Sequence, residues 1–266
     1  MGTQIAENFY FRGQGQFYLG RRLPSGRPEC LHAVGNVSEA SLAFAVNTTE
    51  HQSSQGCTRS TDLTILDSVN GTLNMTLESL DPRNLELAMY GENERLAAGQ
   101  AATEEVVVSE IGCWYPVDFV GLTAGTVSLT HATTSALVED TDFQVDYTAG
   151  LFRLLDTPET QALTFPYTET VQFDYPEQNK IEGLTNSSAP ERFIRFAGLN
   201  TLTDCTPLVI DVYRVAVDPL AGLPMLATDV AQMPLTMRIL QDATRTEGSQ
   251  FFTTRGIFVP AVGVAA

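Results

Sequence analysis

The chain has 266 residues, 43% of them hydrophobic, which suffices for one large β domain or two small ones. Its 32 acidic residues against 15 basic ones give a formal net charge of −17. This balance argues against nucleic-acid binding, which depends on lysine and arginine contacts to phosphates, and against docking on anionic membranes. Solubility alone is a sufficient reason for such a charge.

The four cysteines are Cys30, Cys57, Cys113 and Cys205, and no two have the C-x-x-C spacing of a zinc or redox motif. We expect four buried free thiols rather than two disulfides. The first twelve residues lack the basic and apolar stretches of a signal peptide. No apolar stretch approaches the roughly 20 residues of a membrane span. The sequence therefore predicts synthesis in a reducing cytoplasm.

Alternation of apolar and polar residues, with turn residues between the runs, predicts a mainly β protein of roughly ten to thirteen strands. The glycine-rich run at residues 13–18 lacks the third glycine and the following helix of a dinucleotide-binding motif, and we interpret it as a bent or bulged strand. Two long alternating strands are predicted at residues 38–47 and 69–80. Later strands are predicted at residues 106–108, 143–147 and 151–155 (a hairpin), 163–167, 171–175, 193–196, 208–217 and 235–240.

One helix interrupts this pattern. Asp81 is a good N-cap, Pro82 suits the first helical position and Gly91 can end the helix. A helix of roughly nine residues is too short to be stable alone and must pack on a sheet. The stretch at residues 92–102, rich in Ala, Gly and polar residues, is predicted to be a mobile loop, and residues 176–190 a second loose region.

No constellation of catalytic residues emerges. The histidines lie on different segments without acidic or cysteine partners at motif spacing, and no G-x-S-x-G elbow occurs. The acidic patch at residues 139–146 matches a calcium loop at two ligand positions only, since Gln144 occupies the next one, so a solvated turn is the simpler interpretation. We predict that the protein is not an enzyme and has no catalytic residues, no metal site and no cofactor.

One face of the strands at 38–47 and 69–80 is neither apolar nor mixed in charge. It carries Ser, Thr, Asn and Ala with one carboxylate on each strand, Glu39 and Glu78, whereas an ordinary solvent face mixes lysine with glutamate. Lys180 is the only lysine in the chain, so edge strands lack the lysines that keep edges from associating. Both features indicate a surface that packs against another subunit or lines a channel.

Several segments occur in a characteristic order along nearly the whole chain. They are Asn8–Gly15, Val34–Val37 before a long strand, the short helix ending at Tyr90-Gly91, the hairpin Val145–Phe152, Phe196–Asn200, Val209–Val215 and Ser249–Phe252. In this order and spacing the chain resembles the major tail tube protein of long-tailed bacteriophages.

The resemblance implies a single domain over residues 1–266, built as a β-sandwich or half-barrel with one short helix. Its sheets would close with those of neighbouring copies into an inner β-barrel, commonly in hexameric rings. Rings would stack around a tape-measure protein, with tail terminator and tail-tip proteins as further partners and DNA as transient cargo. Residues 121–180 would form an inserted β region on the outer surface. The protein would reside in the virion tail, without membrane insertion, after synthesis in the host cytoplasm.

The resemblance also implies roles for particular residues. Glu39 and Glu78 are predicted to line the lumen, where acidic groups let DNA slide because a basic lumen would hold it through counterion release. The predicted loop from Glu92 to Ala102 and the uncharged tail from Ile257 to Ala266 are predicted to contact the neighbouring ring.

Two other classes stay open. Another virion or surface β protein, such as an adhesin or a carbohydrate-binding module, would carry aromatic residues around a groove, and the single Trp114 argues against it. A hydrolase that uses paired carboxylates would need a deep acidic cleft between them.

Overall fold

The computed structural model describes residues 9–55, 57–130 and 136–257, which contain sixteen strands and two short helices. The predicted mainly β class is confirmed, although there are more strands than predicted and a second helix. No helix in the described ranges is long and apolar enough to cross a membrane. In chain order the strands are β1 Gly13–Arg22, β2 Pro28–Ala33, β3 Val37–Ser53, β4 Ser60–Leu77, β5 Glu92–Leu96, β6 Gly99–Val108, β7 Trp114–Pro116, β8 Ser128–Thr130, β9 Phe143–Asp146, β10 Leu151–Leu154, β11 Tyr167–Tyr175, β12 Gln178–Glu182, β13 Glu191–Asn200, β14 Thr206–Val217, β15 Met233–Ile239 and β16 Phe252–Gly256, and the helices are α1 Pro82–Ala88 and α2 Pro158–Gln161.

The chain divides into two compact units. The first contains the described residues up to Asn93 together with those from Ile181 onward, and the second contains residues 94–180. We expected one domain with an inserted region at roughly 121–180. That region lies inside the second unit, which begins at Glu94 and has a hydrophobic core of its own.

An antiparallel sheet of eight strands forms the first unit. Its strand order is β2-β1-β13-β14-β15-β4-β3, with β16 pairing beside β14. Alternate residues of β4 and β15 are buried on one face of this sheet, as the alternating pattern of β4 predicts. The most deeply buried of them are Leu73, Met75, Leu77, Met233, Leu235 and Met237.

Helix α1 begins where the sequence predicts. Pro82 is its first residue, and the Asp81 carboxylate accepts a hydrogen bond from the Arg83 N–H at 2.9 Å. The helix buries Leu87 and Ala88 in the core of the first unit. This packing supplies the stability that so short a helix lacks on its own.

The second unit is organised around aromatic side chains. Its two three-stranded sheets have the orders β6-β11-β8 and β7-β10-β9, and Phe143, Phe152 and Phe173 are among its largest buried residues. Helix α2, missing from the sequence prediction, is a single turn in which the Thr157 hydroxyl and the Thr160 side chain cap each other's backbone. Four residues are too few to produce a helical pattern in the sequence.

Three predictions are wrong: the two loops and the burial of the four cysteine thiols. The stretch at 92–102 contains β5 and the start of β6, because β6 pairs with β11 despite its small side chains. The loose region at 176–190 contains β12, which pairs with β5. All four cysteines are exposed free thiols rather than buried ones. Cysteine is more often buried than most residue types, but short or irregular segments hold these four at the surface.

Asp242 joins the C-terminal part of the first unit to the turn between β1 and β2. Its buried carboxylate accepts hydrogen bonds from Arg22 Nη2 at 2.5 Å and from the Thr244 N–H and hydroxyl at 3.0 and 2.6 Å. Gly26 in the turn has φ +79°, and a Cβ there would lie 2.2 Å from the Thr244 hydroxyl oxygen. Burial alone would raise the pKa of Asp242, but the hydrogen bonds from Thr244 and Arg22 outweigh it and lower the pKa.

Asp242→Asn removes this charge while keeping the size of the side chain. We expect the variant to lose about 3–5 kcal/mol of the free energy of unfolding at pH 7, the usual cost of breaking a buried ion pair. Since the folded-state pKa is depressed, the contribution is fully present above the unfolded value of about 3.9 and is lost as the pH falls through the folded value. The free energies of unfolding of native protein and variant, measured with urea, should therefore begin to converge below about pH 4 and continue to do so as the pH falls further.

The exposed Asp229 provides the control, because Asp229→Asn should change the free energy of unfolding by less than about 0.5 kcal/mol. A difference between native protein and Asp242→Asn that stays constant with pH would contradict the role given to this carboxylate.

Candidate assembly surface

The β3–β4 hairpin extends well beyond the rest of its sheet. β3 and β4 pair along nearly their whole length, whereas β4 pairs with β15 only between Gly71 and Leu77. Beyond Gly71, β3 and β4 have only each other as strand partners in the described part of the chain. We call this outer part, residues 43–53 and 60–70, the arm. At about 3.3 Å per residue it is roughly 35 Å long.

The arm is exposed on both faces. Every residue in 43–52 and 60–70 is exposed, unlike a strand that lays one face on a core. Monomeric proteins rarely leave large apolar surfaces uncovered, so an apolar surface on such an element indicates an interaction. The arm has six large apolar residues that are 41–59% exposed: Phe44, Val46, Leu63, Ile65, Leu66 and Val69.

Part of this apolar surface continues the core face of the sheet. Residues directly opposite in register share a face, and Val46 lies opposite Val69, two positions beyond Phe44. Phe44 in turn lies two positions beyond Leu42, which pairs with the buried Leu73. We predicted one apolar face along this strand, but the body of the unit covers only its inner end. At that inner end Phe44 stacks on Phe252 of β16, with ring centroids 5.1 Å apart, whereas Val46 and Val69 further out are exposed.

At its inner end the opposite face of the arm is small and polar, as predicted. Further out Ile65 and Leu63 lie on this face, opposite Thr49 and His51. Ala45 lies opposite Asn70, and Asn47 lies opposite Ser68, whose hydroxyl accepts a hydrogen bond from Asn47 Nδ2 at 3.0 Å. Nearer the tip, His51 Nδ1 lies 2.7 Å from an Asp62 carboxylate oxygen. These cross-strand contacts hold the two strands in register without help from a core.

β3 is an edge strand over its full 17 residues. Its only charged side chains besides His51 are Glu39 and Glu50, and it has no lysine. β2, at the other end of the strand order, has six residues. A long edge with few charges presents backbone N–H and C=O groups to any strand that can pair with it, although the β3–β4 ladder shifts register at three places.

The sheet curves, and a groove of about 720 Å³ lies on its concave face. Phe17 of β1 and Leu42 of β3 both line this groove, although β1 and β3 are close to opposite ends of the strand order. Ile194 of β13 and Val212 of β14 form the apolar floor between them. In the described part of the chain, the first unit is thus an open, curved sheet whose edge strands β2 and β3 each pair on one side only.

The two predicted lumen residues lie at the inner end of the hairpin. Glu39 is exposed and pairs with Thr76, on the face opposite the buried Met75. Glu78 lies one residue beyond β4 and is half-buried, and its carboxylate accepts hydrogen bonds from the side-chain amides of Asn36 and, at 3.4 Å, Gln232. Glu39 is therefore available to solvent, whereas Glu78 also has a structural role.

The residues predicted to contact a neighbouring ring lie on different elements. Glu92 is exposed on β5, and Ala102 is partly buried on β6 opposite Phe173, so neither lies on a loop. Ile257 is exposed, and its N–H donates to a backbone carbonyl of the first unit at 3.2 Å. Ala266 lies outside the described residues.

Sequence reasoning missed the outer half of β4. In residues 60–69, Leu63 and Ile65 alternate with Asp62 and Thr64, and threonine and isoleucine favour strands. The sequence therefore contains an alternating pattern here. The pattern is weak, because both faces of the arm are exposed and the apolar residues are few. The alternation does not give the strand register. The structure supplies it and shows that these residues pair with β3.

The acidic patch at 139–146 serves the turn that contains it. Asp142 is buried and accepts hydrogen bonds from the Val138 N–H at 2.9 Å and the Thr157 hydroxyl at 3.0 Å. A turn is confirmed, but this carboxylate is not solvated as predicted, because it holds the turn together. In the described ranges, no three His, Cys, Asp or Glu side chains are grouped so that they could hold a metal ion.

A family model described as "Protein of unknown function UCP028589" matches residues 10–255 of the chain. The match covers both units and every strand of the structure from β1 to β15. No curated protein matches the chain.

Proposed function

The chain belongs to this family of proteins of unknown function, and we propose that it is a structural virion protein whose copies assemble into stacked, commonly hexameric rings that form a phage tail tube. The observation that carries this proposal is the exposed arm of residues 43–53 and 60–70. The tape-measure, tail terminator and tail-tip proteins are the proposed partners, the virion tail is the proposed location, and DNA is the transient cargo. We assign the chain no catalytic role.

The arm needs a partner to be stable as an ordered element. An isolated two-stranded hairpin is at best marginally stable in water, and three strands or a packed face are usually required. Fully burying a large apolar side chain contributes about 1.5–3 kcal/mol, so covering the six half-exposed residues would contribute on the order of 5 kcal/mol. A second copy of the chain supplies such a cover wherever the protein is concentrated, as it is during virion assembly.

The edges of the sheet suggest how copies would join. If β3 of one copy lies beside β2 of the next, the curved sheet continues from subunit to subunit. Such a head-to-tail interface gives a ring when the rotation closes. The half-barrel proposed from the sequence is compatible with the curvature, since strands near both ends of the strand order line one groove.

The charge of the chain fits a channel for DNA. A net charge of −17 per copy repels phosphates, and an exposed carboxylate such as Glu39 on the small polar face would keep the lumen from binding DNA. An adhesin or a carbohydrate-binding module remains the alternative. The ring of Trp114, however, is covered by the Arg153 guanidinium 4.8 Å from its centroid, which takes one ring face from any sugar.

Val46→Asp tests the arm. We expect the native protein to form rings or tubes in negative-stain electron microscopy at about 50 μM, in the concentration range of a transient interface, with chelator and reductant present. The variant should remain dispersed, because a carboxylate would have to be desolvated at the contact. Its thermal midpoint should barely change, since Val46 is exposed.

The matched control is Val107→Asp, the same change at an equally exposed valine of the second unit. It should assemble like the native protein. Normal tubes from Val46→Asp would show that the arm is not a contact. A native protein that stays monomeric, even with tape-measure or tail-tip proteins added, would refute the proposed function.

Glu39→Lys tests the lumen. Each ring would gain one lysine per subunit, and each phosphate contact adds a slope of about −0.9 to the dependence of log K on log salt for duplex DNA. DNA ejection from virions with the variant should therefore slow at low salt, where the Debye length is about 30 Å, and recover as salt rises. Glu78 is less suitable for substitution because its carboxylate accepts two structural hydrogen bonds.

Electron microscopy would first confirm that the Glu39→Lys tubes are intact, and Glu39→Gln would separate the loss of a negative charge from the gain of a positive one. If intact Glu39→Lys tubes eject DNA at an unchanged rate at every salt concentration, then either Glu39 does not line the lumen or lumen charge does not control ejection.

A further inference from the structure

Two strand edges of the first unit lie on either side of the groove of about 720 Å³ without pairing with each other. Residues 13–16 of β1 have β13 as their only strand partner in the described ranges, because β2 pairs with β1 only from Tyr18 onward. β3 likewise pairs only with β4 among the described strands. We call the space between these edges, bounded by residues 13–17 and 36–42, the slot.

Backbone edges form the two walls of the slot. Alternate residues of a strand point to opposite faces of its sheet, so a groove that touches consecutive residues runs along the edge of the strand. All seven residues in 36–42 line the slot, and on the other side so do the consecutive residues Gly13, Gln14 and Gly15. Both walls therefore present backbone N–H and C=O groups to whatever lies between them.

The slot begins where the chain that follows β2 turns away from β1. The Val34 N–H still donates to the Phe17 carbonyl at 3.1 Å, which extends the β1–β2 ladder by one hydrogen bond. Gly35 then adopts φ +84°, and the chain continues into β3, which pairs with β4 instead of β1. A Cβ at Gly35 would also lie 2.5 Å from the Ser79 Cβ. The slot is thus closed at Phe17 and extends to Gly13.

The floor of the slot is apolar. Ile194 and Phe196 of β13 lie there beside Ile210 and Val212 of β14. Among the described residues that line the slot, Glu39 is the only charged one. A peptide strand in the slot would find hydrogen-bonding groups on both sides and an apolar surface beneath it, which is the arrangement that β-strand addition requires. A charged segment would lose its hydration in the same place.

We propose that the slot binds residues 257–266 of a second copy of this chain, here called the tail, as an added β-strand. This inference rests on the proposed self-assembly. Most of the tail lies outside the described residues, and it has no charged side chain, although 18% of all residues in the chain are charged. Pro260 cannot donate to a ladder, but in residues 261–265 small residues alternate with the larger Val262 and Val264. The valines of such a strand would share one face and pack on the apolar floor.

The direction of β16 favours a second copy over the same copy as the source of the tail. β16 runs along β14 from Val212 to Leu208, so its direction is away from the floor of the slot. The Ile257 N–H continues this direction by donating to the Pro207 carbonyl at 3.2 Å. At Ile257 the chain therefore points away from its own slot. The outer edge of β3, residues 43–53, stays available to an adjoining sheet.

Val262→Asp combined with Val264→Asp tests the tail. The concentration required for assembly should rise at least about tenfold, because fully burying one valine is worth about that factor. The thermal midpoint of the dissociated protein should not change, since the tail would pack on a different copy. The control, Val107→Asp with Val138→Asp, places the same charges at exposed valines of the second unit and should assemble like the native protein.

Ala40→Asp tests the slot. Ala40 is exposed, lines the slot and pairs with the buried Met75, so a carboxylate there would be desolvated by an inserted strand. Assembly should weaken as it does in the tail variant, whereas Ala98→Asp at an exposed alanine of the second unit should have no effect. An equal mixture of slot variant and tail variant should form 1:1 pairs in sedimentation velocity that neither forms alone, because one intact slot and one intact tail remain.

A synthetic peptide of residues 257–266 gives a readout that does not require assembly. It should bind dissociated native protein, slow hydrogen exchange of backbone amides in 13–16 and 36–42 at least about tenfold, and fail to bind the Ala40→Asp variant. Equal assembly of native protein and both variants, without peptide binding, would overturn the inference while leaving the tube intact.

Two further results would overturn the second copy as the occupant. If the peptide binds the tail variant but not the native protein, and the tail variant has a lower thermal midpoint, then each copy fills its own slot. A native protein that never assembles would overturn the proposed function together with the second copy, even if the peptide binds.

Discussion

Backbone pairing between β3 and β4 joins a region that packs on the core of the first unit to a region that is exposed to solvent. At the inner end the pair lies in the eight-stranded sheet, with Leu73, Met75 and Leu77 in the core. At the outer end the same pair continues as the arm, with apolar residues on its surface. The hydrogen-bonded ladder continues outward from the core, so the strand register of the arm is set by the core, while its lasting order requires a partner. Everything proposed for assembly depends on this extension.

Charge complements this apolar surface. The chain is strongly acidic, which limits nonspecific association, and five of the twelve arginines of the first unit form ion pairs with its own carboxylates, among them Asp211, Glu191 and Asp242. Apolar burial on the arm would supply the affinity for a neighbouring copy.

The sequence was sufficient where local chemistry decides the structure. The alternation in Leu73–Leu77 and the capping residues Asp81 and Pro82 gave the correct strand and helix. It was insufficient where long-range pairing decides. Glycine and alanine in 92–102 indicated a loop, yet pairing with β11 makes much of it a strand. The slot depends on where β2 stops pairing with β1, which no local pattern contains. Exposure of the arm also depends on long-range pairing, because β15 pairs with β4 only as far as Gly71.

Hydrogen–deuterium exchange of the arm tests the central claim most directly. In dissociated protein, backbone amides of residues 43–53 and 60–70 should exchange quickly, because only two strands protect them and both faces are exposed. In assembled protein the same amides should be protected by at least about 100-fold, while core amides of β15 change little. Assemblies in which the arm exchanges as fast as in the dissociated protein would contradict the account.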